Sequence, residues 1–408
     1  MKVLWCCNVI LPEIADAAGI SEMAHSAGWI EGFLHGIKAQ KDVELGIICP
    51  GNKETHGAFD GIEYWICGSE SYKSILDAFS PDIVHVFGTE NEESNKLVSL
   101  FNNKSRTVIN IQGMAGLCAD VYIDGLPITL QRKQRFFEKI IGNGILNQRD
   151  NLQLRGNKEA ETFSMAGHVI GRTDIDRMFA LDLNPNIQYH CCNEILRANF
   201  YSAPKWDISK IKRHSIVIRN TGNPIKGLYQ MFCAMPDILK RFPDAHLYVL
   251  GNTYKVPRNW RQRVTEGSYN KLLRQTAEKF GLTKCITATG SLNAQQVEEL
   301  YLQSHVVVSA SVIENESNVV SEAKLLGVPV VSSFVGGLPN RITHGEDGCL
   351  YPFNMPKMMA YYITELFSDD NRAIGISKKA IASQSIINDA ERNIETLVKI
   401  YKEIVQAG

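Results

Sequence analysis

Two glutamates, Glu314 and Glu322, stand with seven residues between them, around the polar stretch Asn315, Glu316, Ser317 and Asn318. An apolar run at 305–309 precedes them and reads as a buried strand; a helix-like run at 319–326, closed by Gly327, follows. Ser317 and Asn318 are both fitting N-caps. A helix beginning there, with Val319 in its first turn, turns free backbone N–H groups and its positive dipole end into the loop. Such an end is a seat for a phosphate or diphosphate. Lys226, before Gly227 at another strand-to-helix junction, could add a point charge to the same anion, with Arg219 as a weaker candidate. The carboxylates need a different partner, because they accept paired hydrogen bonds from vicinal hydroxyls. Glu322 would suit a ribose, and Glu314 a sugar ring. Alone, two glutamates by a helix and one lysine at a turn are equally what a solvated surface presents.

Four other features could do chemistry. Asp174-Ile175-Asp176 has the Asp-x-Asp form that can hold a metal–diphosphate, but it also opens a helix, where acids suit the dipole. Arg172, just before it, lies at a strand end and is either an acceptor or donor contact or an ordinary surface arginine. His25, near Gly28, is a candidate base. His85, late in the buried run 81–87, reads as a structural histidine.

The elements that must position these groups alternate. Strands are expected at 2–8, 44–49, 64–66, 81–87, 107–111, 168–171 and 187–190, with helices between them and a loop over 12–27 that ends at Gly28. A second alternation begins at 215, with strands at 215–218, 246–250, 286–288 (closed by Gly290 and Ser291), 305–309 and 328–332. Helices fill the tail from 356 onward. This predicts an α/β protein of two doubly wound Rossmann-like domains facing a cleft, with a helical C-terminus. The expected boundaries are 1–198 for the first domain, 199–213 for a linker, 214–385 for the second domain, and 386–408 for a helix packing back on the first. Ligands of such sheets bind outside the carboxyl ends of the strands.

Composition narrows the function classes. The 43 basic and 44 acidic residues leave a net charge of −1, which argues against bulk nucleic-acid binding. Ten cysteines include no Cys-x-x-Cys and two adjacent pairs, a spacing ill suited to metal chelation, so they read as reduced buried thiols of a cytoplasmic protein. The N-terminal apolar run reads as a first strand rather than a leader, and no run of about 20 apolar residues predicts a membrane span. One stretch stands apart. Arg132, Lys133, Arg135 and Lys139 flank Phe136, Phe137, Ile140 and Ile141, a basic amphipathic pattern. It is either a helix with a solvated charged face or a peripheral membrane contact through about 132–141, at the inner face of the membrane.

The 304–352 segment resembles the donor-site signature of the family 4 glycosyltransferases, retaining enzymes of GT-B fold. The matching residues are Glu314, Glu322-Ala323, Gly327-Val328-Pro329-Val330-Val331 and Gly336-Gly337-Leu338-Pro339. Glu314-Asn315 with Asn318 resembles the branch associated with capsule and exopolysaccharide assembly. Lys226-Gly227, Pro81–His85, Asn193 and Gly28 also fall where the family has counterparts. Gln112 stands where many relatives carry His, Ala27 where many have a second Gly, and Asn340 where Glu is common.

The resemblance implies a metal-independent hexosyltransferase that uses a nucleotide-sugar co-substrate and no cofactor. It also implies that the first domain is the acceptor-side domain and the second the nucleotide-sugar-binding domain. The acceptor would be a glycan or lipid-linked molecule, with surface polysaccharide as the product. Glu314 and Lys226 would be catalytic. Glu322, Asn315, Ser317, Asn318, Val319, Lys226, Arg219, Gly28 and Ser291 would bind the donor, and Gln112, Arg172 and His25 would lie on the acceptor side. Two other readings fit the same architecture: a nucleotide-sugar epimerase, and a two-lobed sugar-binding protein without catalysis.

Overall fold

The computed structural model describes residues 1–20, 28–132, 136–142 and 144–407. The chain divides into two compact units. The first holds Met1–Leu117, Gln153–Arg197 and Asn388–Gly408; the second holds Cys118–Leu152 and Ala198–Ile387. This revises the expected boundaries. Residues 118–152 group with the second unit because its polar groups tie them there. Gln230 Nε2 donates to Gly125 O at 2.8 Å, and Ser268 Oγ donates to Glu138 Oε2 at 2.6 Å. Residues 199–213 are likewise not a free linker. Trp206 is buried, and its Nε1 donates to Ser304 O at 2.8 Å.

The first unit is built on an eight-stranded sheet. Its strands are β1 (Lys2–Cys7), β2 (Glu44–Pro50), β3 (Thr55–Phe59), β4 (Ile62–Cys67), β5 (Ile83–Phe87), β6 (Thr107–Asn110), β7 (His168–Gly171) and β8 (Gln188–Cys191). Their order is β3-β4-β2-β1-β5-β6-β7-β8, parallel throughout except for β3 against β4. β1 and β5 are buried almost end to end, as parallel strands covered on both faces must be. The β3–β4 hairpin was not expected. Its turn is Asp60-Gly61, with φ of 48° and 79°, the positive values a two-residue hairpin turn demands. Asp-Gly was the available signal for it.

Helix Ala390–Ala407 belongs to this unit. Its fully buried Tyr401 hydroxyl accepts from Trp5 Nε1 at 3.0 Å and meets His85 Nδ1 at 2.5 Å. That accounts for His85 as a structural residue. Burial pushes its pKa down to about 3, and those of His190 in β8 and His305 in the second unit down to about 4. Each binds a proton near 6.5 when unfolded, so the folded state loses stability as pH falls below that value. Glu159 opposes this in the first unit, because burial raises its carboxyl to about 8. Between pH 6.5 and 5 each histidine is expected to cost about 2 kcal/mol, with Glu159 returning a similar amount. Urea midpoints should therefore be lower at pH 5 than at pH 7, and Glu159→Gln should steepen the drop. Midpoints that stay level would overturn this account.

The second unit is built on a six-stranded parallel sheet: β9 (Ser215–Asn220), β10 (His246–Gly251), β11 (Ile286–Gly290), β12 (Val306–Ser309), β13 (Val330–Ser333) and β14 (Cys349–Tyr351). The order is β11-β10-β9-β12-β13-β14. The first three strands run outward one way and the last three the other, so the direction of winding switches between β9 and β12. Neighbouring loops leave the sheet in opposite directions there and open a crevice at the carboxyl ends. Among the described residues no helix is long and apolar enough to cross a membrane.

Candidate functional site

The loops after β9 and β12 lie against each other at this switch point. Lys226 ends a short turn, Pro224–Lys226, and Gly227 leads into helix Leu228–Arg241. Gly227 has φ of 69°, and a Cβ there would stand 1.8 Å from Ala310 O. The backbones of the two loops therefore touch, and Val312 N donates to Ile225 O at 2.8 Å. From the other side Gly336, with φ of 53°, would place a Cβ 1.9 Å from Glu314 O. Gly337 N donates to that same carbonyl at 2.9 Å. The backbone of Glu314 is thus held by the Gly336–Gly337 turn, while Gly227 packs on Ala310 at the start of the same loop, and only residues without a side chain allow so close an approach.

The clamp sets the electrostatics. Lys226 Nζ donates to Glu314 Oε1 at 2.6 Å, and Ser311 Oγ donates to the same oxygen at 2.6 Å. Glu314 is buried and Lys226 partly exposed, so the pair has a protein side and an open side. Two residues on, Glu316 pairs with Arg341 at 3.0 Å, both side chains nearly inaccessible. Lys324 is fully buried in helix Asn318–Leu326, where it donates to Arg341 O and, at 2.8 Å, to Asp347. Burial lowers the Lys324 pKa, and Asp347 pulls it back up. Asp347 also accepts from Thr343 N at 2.8 Å and Ser383 Oγ at 2.7 Å. Arg341 therefore holds the loop before the helix with its side chain and the helix itself with its carbonyl. Removing one partner of such a buried pair costs about 3–5 kcal/mol, so the helix start is fixed before any ligand arrives.

Ser317 occupies the N-cap position, but its hydroxyl makes no capping bond. Ser317 is thus the N-cap residue, one of the two the sequence offered, and its side chain does not neutralise the positive end of the helix. Asn318 is the first helical residue, and Glu322 lies four further on, hence on the same face. Glu322, Asn315 and Val319 are all buried.

Lys226, Glu314, Asn315, Ser317, Asn318, Val319 and Glu322 thus belong to one local structure. The other expected donor residues of this unit are Arg219, near the carboxyl end of β9, and Ser291. Arg219 is exposed on β9, and Ser291 is exposed beyond the edge strand β11. With β10 between β11 and β9, that edge is roughly 10 Å from β9.

The remaining expected residues fall in the first unit. Gly28 begins helix Gly28–Lys38, where a Cβ would meet Arg197 Cδ at 2.9 Å. Gln112 is half-buried just beyond β6. His25 lies outside the described residues. Arg172 does not stand where the sequence suggested. Its side chain is buried, donating to Ile111 O at 2.5 Å and paired with Glu194, so it serves the interior of the unit. Asp176 is fully buried, accepts from Arg172 N at 2.8 Å, and forms a reciprocal cap with Thr173. The Asp-x-Asp pattern is therefore a helix start, and the metal reading of it falls.

Sequence reasoning missed Ser311, the Glu316–Arg341 and Lys324–Asp347 pairs, and Glu159. The Glu159 carboxylate accepts from Thr89 Oγ1 at 2.8 Å and Ala115 N at 2.9 Å, tying together the segments that follow β5 and β6. Lysine and glutamate in a helix ordinarily face water, and nothing in the local pattern marked Lys324 or Glu159 as buried.

Residues 209–383 match the family model described as glycosyl transferases group 1. The D-inositol 3-phosphate glycosyltransferase of Corynebacterium urealyticum is 24% identical over 186 residues, which is 44% of this chain and 41% of that protein. The chain spans about two fifths of the length of the curated relatives it first matches, with 41% and 42% covered. Sucrose-phosphate synthase from Thermosynechococcus elongatus superposes over 100% of both chains with a TM-score of 0.72 at 14% identity. Anabaena HepE in complex with UDP-glucose gives a TM-score of 0.68 at 16% identity, over 99% of this chain and 100% of that one. The match to the glycosyl transferases group 1 model lies within the second unit, and the chain as a whole has the GT-B fold.

Proposed function

We propose that the protein is a retaining, metal-independent glycosyltransferase that moves a hexose from a nucleotide-sugar to a glycan or lipid-linked acceptor in surface polysaccharide assembly. The observation that carries this reading is the Lys226–Glu314 pair at the β9/β12 switch point, beside an N-terminal helix end that its own cap leaves open. The helix amides at 318–320 and Lys226 receive the diphosphate. As the bond from the anomeric carbon to the diphosphate oxygen breaks, negative charge grows on the leaving group, and these positive groups are already in place to stabilise it. Glu314, held by Ser311 and the Gly336–Gly337 turn, accepts from hydroxyls of the sugar. Glu322, in the second turn of the helix, accepts from the ribose. In the free protein Lys226 rests on Glu314; donor binding gives each its own partner.

Two relatives support the donor class. HepE was solved with UDP-glucose, and the Corynebacterium relative is named as a glycosyltransferase. Incubation with a panel of nucleotide sugars, watching for released nucleoside diphosphate in the presence of glycan and lipid-linked acceptors, tests the proposal. Formation of an epimer from donor alone would favour the epimerase reading instead. Glu322→Gln removes one of two acceptor oxygens and is expected to weaken nucleoside-diphosphate affinity about 10-fold, near the value of a charged hydrogen bond. Calorimetric titration reads this directly, and an unchanged affinity removes Glu322 from the ribose.

A further inference from the structure

One surface of the second unit lies outside the donor site and is not accounted for by it. Between β10 and helix Ser268–Lys279 the chain makes a long insertion, 252–267, that contains helix Trp260–Thr265. Trp260 is 69% exposed and Val256 65%. Helix Phe136–Ile141 packs against helix Trp260–Thr265 and presents Ile140 and Ile141, 65% and 53% exposed. Glu138 ties its helix to the end of this insertion, since its carboxylate accepts from both the backbone N–H and the hydroxyl of Ser268, the first residue of the next helix. A tryptophan, a valine and two isoleucines thus share one local, water-facing surface.

The charge around it is one-sided. Residues 128–142 and 252–265 contain eight basic residues and a single acid, Glu138. That acid is buried at 4% exposure and faces inward onto Ser268. Arg132, Lys255, Arg258, Arg261 and Arg263 are exposed, and the Arg261 guanidinium lies 5.6 Å from the Trp260 ring centre. The full chain balances 43 basic against 44 acidic residues, so this concentration is local.

We infer that this surface docks the protein onto an anionic lipid bilayer, with Trp260, Val256, Ile140 and Ile141 entering the headgroup region and the arginines meeting lipid phosphates. Tryptophan beside aliphatic side chains, rimmed by basic groups, is the composition that lies in a membrane interface. Each basic side chain near an anionic surface raises partitioning roughly five-fold. An acidic protein would use the arginines but leaves two isoleucines and a valine without a stated partner. A nucleic acid would stack on Trp260 but has no use for the aliphatic set. Arg132, Ile140 and Ile141 are one half of the device; residues 255–263, far along the chain, complete it.

Co-sedimentation of the full chain with vesicles tests this. Vesicles of phosphatidylcholine doped with phosphatidylglycerol are expected to bind at least about 10-fold more protein than phosphatidylcholine alone, with the difference lost in high salt. Trp260→Ser with Ile141→Ser should lower partitioning about 10-fold or more, and so should Arg258→Glu with Arg261→Glu. Tryptophan emission should shift to the blue on binding, and Trp260→Phe should remove that shift while keeping most of the binding. These side chains are exposed, so thermal midpoints and nucleoside-diphosphate affinity should match the parent protein. Equal binding to both kinds of vesicle overturns the inference. So does unaltered partitioning in the variants, or binding to single-stranded RNA with none to vesicles. None of the vesicle readouts depends on the donor-site assignment.

Discussion

Lys226→Ala is expected to lower turnover of the nucleotide-sugar by about 100-fold or more, the scale seen when one pre-placed group is removed from a site of developing negative charge. The loss should fall mainly on kcat, because charge on the leaving diphosphate is greatest in the transition state and the helix end still receives the ground-state anion. The same change strips Glu314 of its 2.6 Å partner and leaves Ser311 as a donor to that buried carboxylate oxygen. A buried carboxylate that loses its cation costs about 1–3 kcal/mol, so Lys226→Ala should also be less stable. Adding Glu314→Gln to it removes the stranded charge and should restore the midpoint without restoring turnover. Measured beside Glu314→Gln alone, which keeps the lysine, that double variant separates the structural role of Lys226 from its role in transfer. Rates like those of the parent protein in Lys226→Ala would remove the lysine from the chemistry.

The parts of this site that sequence could reveal are those with a local cause. A helix start after an apolar run, a lysine before a glycine, and a Gly-Gly turn each leave a mark within a few residues. Lys226, Glu314 and the helix start at Asn318 were legible for that reason. The partners that fix them were not. Arg341 meets Glu316 from 25 positions away, and Asp347 meets Lys324 from 23. Such pairs are decided by how β13 and the turns after it fold back on the helix. Arg172 shows the reverse error. An arginine at a strand end reads as available to a ligand, but Glu194 is brought beside it by the β7–β8 pairing, which no local pattern records. The strand alternation was visible because parallel strands covered on both faces leave apolar runs. Residues 118–152 were misassigned because their ties, through Gln230 and Ser268, come from more than 100 residues further along. The Asp60-Gly61 hairpin, by contrast, was readable and was passed over.

The glycines that hold the two loops together give the second large effect. Gly227→Ala places a methyl group where Ala310 O stands 1.8 Å away, and the obstacle is backbone, which no rotamer change can move. The left-handed conformation at φ of 69° adds about 1–2 kcal/mol for any residue with a Cβ. To relieve the clash the loops must part, which breaks the 2.8 Å bond from Val312 N to Ile225 O and moves Lys226 away from Glu314. A destabilisation of about 3 kcal/mol or more is expected, together with loss of donor binding. Gly222 supplies the control within the same loop. Its φ is 85°, but a Cβ there would meet nothing within 4 Å. Gly222→Ala should therefore cost only the conformational part, about 1–2 kcal/mol, and leave donor affinity near that of the parent. Gly336→Ala should behave like Gly227→Ala, because its Cβ would meet Glu314 O at 1.9 Å. Denaturant unfolding of the three variants, with nucleoside-diphosphate titration, decides the matter. If Gly222→Ala and Gly227→Ala lose equal stability and equal affinity, backbone conformation alone selects glycine and the clamp on Glu314 is not what shapes the site. If Gly227→Ala and Gly336→Ala both lose donor affinity while Gly222→Ala keeps it, the close approach of the two loops is what holds Lys226 and Glu314 in register for the donor.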